Sequence, residues 1–107
     1  MNLQLSDPNL LRNDAYIDGQ WRTSVTGSTF PVTNPASAEL LADVADLGAI
    51  ETREAIAAAD KAMGLWRQRP AKERSVILRR WFDLIMANQE DLARLMTAEQ
   101  GKVLSES

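Results

Sequence analysis

Any chemistry in this sequence must come from oxygen and amine groups, because its 107 residues contain no Cys and no His. That excludes, within these residues, a thiolate nucleophile, a Ser–His–Asp triad and a zinc site of the usual ligands. What remains is hydroxyls, 15 carboxylates and 12 Lys and Arg residues. Two carboxylate pairs lie close in sequence, Glu51 with Glu54 and Glu90 with Asp91. Paired carboxylates can divide acid and base work. Here both pairs stand at the starts of predicted helices, where the first-turn N–H groups and the helix dipole favour negative charge. That reading leaves them without a catalytic role. No phosphate-cradling loop is present either, since Gly19, Gly27, Gly48, Gly64 and Gly101 are all isolated.

Composition narrows the partners. A net charge of -3 argues against a nucleic-acid surface, although Arg67-Gln68-Arg69 and Arg79-Arg80 are local positive spots. No apolar run approaches the roughly 20 residues of a membrane span. The start, MNLQLSDPN, lacks the basic and apolar regions of a signal peptide. With no Cys there is no disulfide framework, and the expected compartment is the cytoplasm.

The elements follow from punctuation and period. In "DPNLLRN", residues 7 to 13, Asp7 reads as an N-cap and Pro8 as the first residue of a short helix. In "AYIDGQWRT", Asp18-Gly19 between two β-favouring pieces is a hairpin signal. Weak alternation continues to Leu47, with a turn at Asn34-Pro35, so residues 15 to 47 read as short antiparallel strands. Pro31 and Pro35 hold that sheet to an edge or to loops.

After Gly48 the period changes to three and four. Ile56, Ala59, Met63 and Trp66 form one helix face, and Arg69-Pro70 ends that helix. Ile77, Leu78, Trp81, Leu84 and Ile85 form the stripe of a second helix. Asn88 reads as the N-cap of a third, which carries Leu92, Leu95 and Met96 and closes at Gly101. The segment is therefore α+β, short antiparallel strands followed by three helices. Trp66, Trp81 and Phe82 read as core, as large apolar residues at helical spacing usually are. Yet two or three short strands offer these helices little to pack on.

Four stretches, in this order and spacing, resemble the N-terminus of an aldehyde dehydrogenase. They are "YIDGQW", "VTNPASAEL", "AIAAADKAMGLWR" and "KERSVILRRWFDLIMANQEDLARLMTAEQGK". The last, with "LLRNDAYIDGQW", is most similar to the succinate-semialdehyde dehydrogenase group. The resemblance implies an α/β family fold with a cofactor domain, a catalytic domain and a small oligomerisation sheet. Residues 1–107 would be the N-terminal part of the cofactor-binding domain. It further implies oxidation of succinate semialdehyde to succinate with NADP or NAD, as in 4-aminobutyrate degradation, by a homotetramer or homodimer. In that scheme a Cys thiolate attacks the aldehyde, hydride passes to the nicotinamide, and a Glu-activated water releases the acid. None of those residues lies in this sequence, so no catalytic or cofactor-binding residue is assigned.

The family pattern places Pro after Gly-Lys, where this chain has Val103. The closing "MTAEQGKVLSES" has a helix end at Gly101 and the start of a new element at Leu104, with nothing to close it. The expectation is a chain that continues past Ser107, with its chemistry there.

Some family members hold a monovalent cation. By resemblance its ligands would be the backbone at Val32 and Thr33 and the carboxylate of Glu99, a donor set suited to a hard cation. The alternative for Glu99 is a solvated helix-end carboxylate that caps or pairs with Lys102. For the function, two alternatives stand: a glutarate-semialdehyde branch, or a helical interaction module that binds a partner around Trp66 and Trp81.

Overall fold

Asp18 and Gly19 both adopt positive φ, 50° and 76°, the left-handed pair that a two-residue hairpin turn requires. In the computed structural model, which describes residues 3–107, this turn joins β1 (Ala15–Ile17) to β2 (Gln20–Arg22). Tyr16 faces Trp21 across the ladder with ring centroids 4.9 Å apart, and the Arg12 guanidinium lies 4.5 Å over the Trp21 ring. A second hairpin pairs β3 (Thr29–Thr33) with β4 (Leu40–Ala45), Phe30 opposite Val44.

The antiparallel strands are as expected, but they form two separate two-stranded ladders rather than one sheet. The loop between them is the cause. Gly27 turns it at a φ of 73°, and β3 then starts beside β4 instead of β2. Single backbone bonds link the ladders to flanking chain, Ala45 N–H to Asn13 O at 2.8 Å and Asp46 N–H to Ser28 O at 2.9 Å. The Asn13 bond also explains why the helix expected over 7–13 is only a 3-10 turn, Pro8–Leu10. Asp7 does cap that turn, its Oδ1 accepting from Asn9 N–H at 3.0 Å, but the chain must then extend to reach β4.

The three helices are α1 (Ala49–Gln68), α2 (Ala71–Ala87) and α3 (Gln89–Gln100). Arg69 is extended ahead of Pro70, which ends α1 where the sequence places the break. Asn88 is the single residue between α2 and α3. Its side chain does not cap α3; Nδ2 donates back to Leu84 O at 2.9 Å, because the last carbonyls of α2 are within reach. Gly101 closes α3 in the left-handed region at φ 81°, and its N–H donates to Thr97 O at 2.8 Å.

The expected core is not formed within this chain. Among the described residues only Ile17 and Ala98 are buried apolar side chains. On α1 the covered face is Glu51, Ala55 and Ala58, while Ile56 and Met63 are exposed and Trp66 is half-buried. Along α2 every residue except Arg74 is exposed, Trp81 and Phe82 included. The shape gives the reason. The molecule is a slab of 47 × 36 × 20 Å with a radius of gyration of 16.7 Å, against about 13 Å for a compact domain of this size. A slab two helices thick has no interior in which to place three amphipathic faces.

Candidate functional site

The carboxylate pairs separate on folding. Glu51 is buried: Oε1 accepts from Val25 N–H at 3.0 Å and Oε2 from Gly48 N–H at 2.6 Å. These backbone donors, Val25 foremost, hold its pKa below the ordinary value; burial opposes them and Arg22 adds to them. Glu54 instead forms an exposed ion pair with Arg22. Asp91 repeats the pattern. It is buried and accepts from Ser6 N–H and Asp7 N–H, both at 2.9 Å, which lowers its pKa. Its neighbour Glu90 is exposed and pairs with Arg94 at 2.8 Å.

Glu51 and Asp91 are thus ionised acceptors, each fastening an earlier segment to the first turn of a helix. A general acid needs a raised pKa, and both are lowered. The first-turn reading holds for their position. No residue pattern signals the long-range backbone bonds, because their partners are main-chain groups 26 and 84 or 85 residues away.

Beside Glu51 lies a cavity of about 450 Å³ whose lining includes Ser24, Thr26, Ser28 and Asp46. The hydroxyls bond to one another, Ser24 to Thr26 at 3.0 Å and Thr26 to Ser28 at 2.8 Å. Both oxygens of Glu51 are already engaged. This arrangement braces a loop and offers no activated nucleophile.

Val32 and Thr33 are at the end of β3, where the ladder is irregular: Val32 faces Ala42 but Thr33 faces Leu40. Such a bulge interrupts regular pairing of the backbone groups. Glu99 is exposed and is the penultimate residue of α3. The described residues show no ion pair between Glu99 and Lys102. The two segments meet at one corner, since a Cβ on Gly101 would stand 3.0 Å from Pro35 Cγ. Asn34, buried at that corner, accepts through Oδ1 from Ala36 N–H at 2.9 Å and rigidifies the turn.

The largest unsatisfied feature is α2. Leu78, Trp81 and Ile85 are 51%, 63% and 42% exposed. Arg74 precedes them on the same face, and its Nε is buried with no hydrogen-bond partner among the described residues. Sequence reasoning passed over Arg74. The available signal was a cation four and seven residues before Leu78 and Trp81, at the head of an apolar line.

Comparison with known proteins gives this geometry a context. A model described as "Aldehyde dehydrogenase family" matches residues 21–107. A glutarate-semialdehyde dehydrogenase of Pseudomonas putida is 55% identical over 105 residues, which are 98% of this chain and 22% of that protein. A 3-sulfolactaldehyde dehydrogenase of Pseudomonas putida is 50% identical over the same shares of the two chains. The NADP(+) succinate-semialdehyde dehydrogenase of Escherichia coli K12 is 51% identical, again over 98% of this chain and 22% of that one. The crystal structure of a succinate-semialdehyde dehydrogenase from Burkholderia pseudomallei superposes with a TM-score of 0.91 at 52% identity, covering 95% of this chain and 21% of that one. The chain spans about a fifth of the length of the curated relatives it matches.

Proposed function

The chain belongs to the aldehyde dehydrogenase family, and on that premise we propose that residues 1–107 form the N-terminal part of its cofactor-binding domain. The enzyme so built oxidises succinate semialdehyde to succinate with NADP or NAD, in the cytoplasm, as a homotetramer or homodimer. The observation that carries this reading is near-complete coverage of the chain at about half identity by semialdehyde dehydrogenases. The fold agrees: α2, exposed along nearly its whole length with its apolar residues uncovered, suits a layer of a larger α/β body.

The substrate class follows from what the relatives' names share. Succinate semialdehyde, glutarate semialdehyde and 3-sulfolactaldehyde each join an aldehyde to an anionic acid group on a short chain. The first two differ by one methylene, which a binding pocket separates by only about 1–3 kcal/mol. A glutarate-semialdehyde preference is therefore the second reading, favoured by the 55% identity to that relative. The nicotinamide cofactor supplies the hydride acceptor when bound. The part played by residues 1–107 is to hold the sheet-and-helix layer beside it, through the Glu51 and Asp91 fastenings.

A monovalent cation at the Val32 and Thr33 carbonyls and the Glu99 carboxylate belongs to the same proposal. The bulge at Val32–Thr33 and the Pro35–Gly101 contact, two residues beyond Thr33 and two beyond Glu99, support it. Glu99→Ala in the complete gene product should remove any stabilisation by potassium or sodium over a bulky organic cation.

The test of function is a steady-state assay of the complete gene product with the three aldehydes against NAD and NADP. The expected result is the highest kcat/KM for succinate semialdehyde. A higher value for glutarate semialdehyde moves the assignment to the second reading, and no turnover of any of the three overturns both.

A further inference from the structure

Arg74 is the one residue of α2 that is not exposed, yet its Nε–H has no acceptor among the described residues. A guanidinium keeps its charge in any protein setting and has donors only, so an oxygen acceptor is its sole remedy. Its position narrows the source of that acceptor. Leu78, Trp81 and Ile85 follow at i+4, i+7 and i+11, which aligns all four on one face. A different strip of the helix carries Lys72, Arg79 and Asp83, where Arg79 already pairs with Asp83 at 3.4 Å. The helix thus has a wetted side with its own ion pair and an apolar line whose single cation has a buried Nε–H without an acceptor among the described residues.

We infer that the Arg74–Leu78–Trp81–Ile85 line docks the remainder of the aldehyde dehydrogenase fold, and that the docked surface presents a carboxylate to Arg74. This rests on the placement proposed above. Two observations select that occupant. About four-fifths of the superposed dehydrogenase is polypeptide with no counterpart here, while nearly all of this chain superposes. Charge is the second. Removing a guanidinium from water is costly unless the new surroundings neutralise and hydrogen-bond it. A second copy docked through this line would offer Leu, Trp, Ile and another Arg, with no acid among them. A carboxylate on the rest of the fold supplies both the charge and the acceptor geometry that suits a guanidinium.

The test uses the Escherichia coli succinate-semialdehyde dehydrogenase with its matching segment replaced by residues 1–107. Soluble yield and the urea midpoint are measured for the chimera and for Arg74→Met, Arg74→Lys and Arg79→Met. Arg74→Met keeps length but strands the partner carboxylate, so the folded-to-unfolded ratio should fall by about tenfold or more. Arg74→Lys should recover part of the loss through its charge, and Arg79→Met should match the unsubstituted chimera. If Arg74→Met gives no soluble enzyme, Arg74→Lys decides: partial recovery supports the carboxylate, and no recovery overturns it. An Arg74→Met chimera equal to the unsubstituted one overturns this inference alone. An unsubstituted chimera that does not fold overturns the domain placement proposed above and this inference with it. Dimerisation of the 107-residue chain that Arg74→Met abolishes would assign the face to a second copy and overturn the inference too.

Discussion

Gly101 and Pro35 meet so closely that a Cβ on the glycine would stand 3.0 Å from the proline Cγ. The contact ties the end of α3 to the turn after β3, and it exists because Gly101 sits at φ 81°. Gly19 has a similar φ of 76° with open space around it. Gly19→Ala should therefore cost only the backbone penalty, about 1 kcal/mol. Gly101→Ala adds the collision and should cost about 2–3 kcal/mol. Urea denaturation followed by circular dichroism checks the order, and equal losses would remove the Pro35 contact from the account.

Glu51 and Asp91 make stability fall in acid. Both have folded pKa values below their unfolded ones. Their contribution is fully present above the unfolded values, about 4.3 for Glu and 3.9 for Asp, and is lost as pH falls through the lower folded values. Stability should thus hold from pH 7 to about 5 and decline below about 4. Glu51→Gln with Asp91→Asn should be less stable at pH 7 and should flatten that decline. An acid limb unchanged by the double substitution would show that other carboxylates control it.

The 107-residue chain by itself should not oxidise aldehydes. Covalent aldehyde oxidation of the kind implied by the family needs a thiolate, and this sequence has no Cys. Absorbance at the reduced-nicotinamide band should stay flat with succinate semialdehyde and NADP. Turnover above the buffer rate would show a chemistry independent of thiol.

The open side of α2 should make the 107-residue chain adhesive. Trp81 is 63% exposed and Leu84 53%. Reburying about 400 Å² of such surface would yield roughly 10 kcal/mol before association costs, enough for dimers or aggregates. Sedimentation at micromolar concentration should show more than monomer, with binding of an apolar dye, and Trp81→Glu should reduce both. Helix should dominate the circular dichroism spectrum, with a broad melt. A clean monomer without dye binding would mean that the face is covered in solution.

Most local elements are legible in residue type and spacing. Asp18-Gly19 dictated a hairpin, Arg69-Pro70 ended α1, and Gly101 closed α3, because each is a short-range consequence of allowed backbone angles. Four motifs in order were enough to mark the family. What those elements face is set only when the chain folds. Periodicity shows that a helix has an apolar side, not that a cover for it is present, so Trp81 and Phe82 read as core and stand in solvent. The roles of Glu51 and Asp91 were invisible for a related reason: their partners are the main-chain N–H groups of Val25, Ser6 and Asp7, which every residue but proline carries and no side chain announces. Arg74 joins both lessons. Its type and spacing were in plain view, and only the folded chain showed that its Nε is buried with nothing to bind.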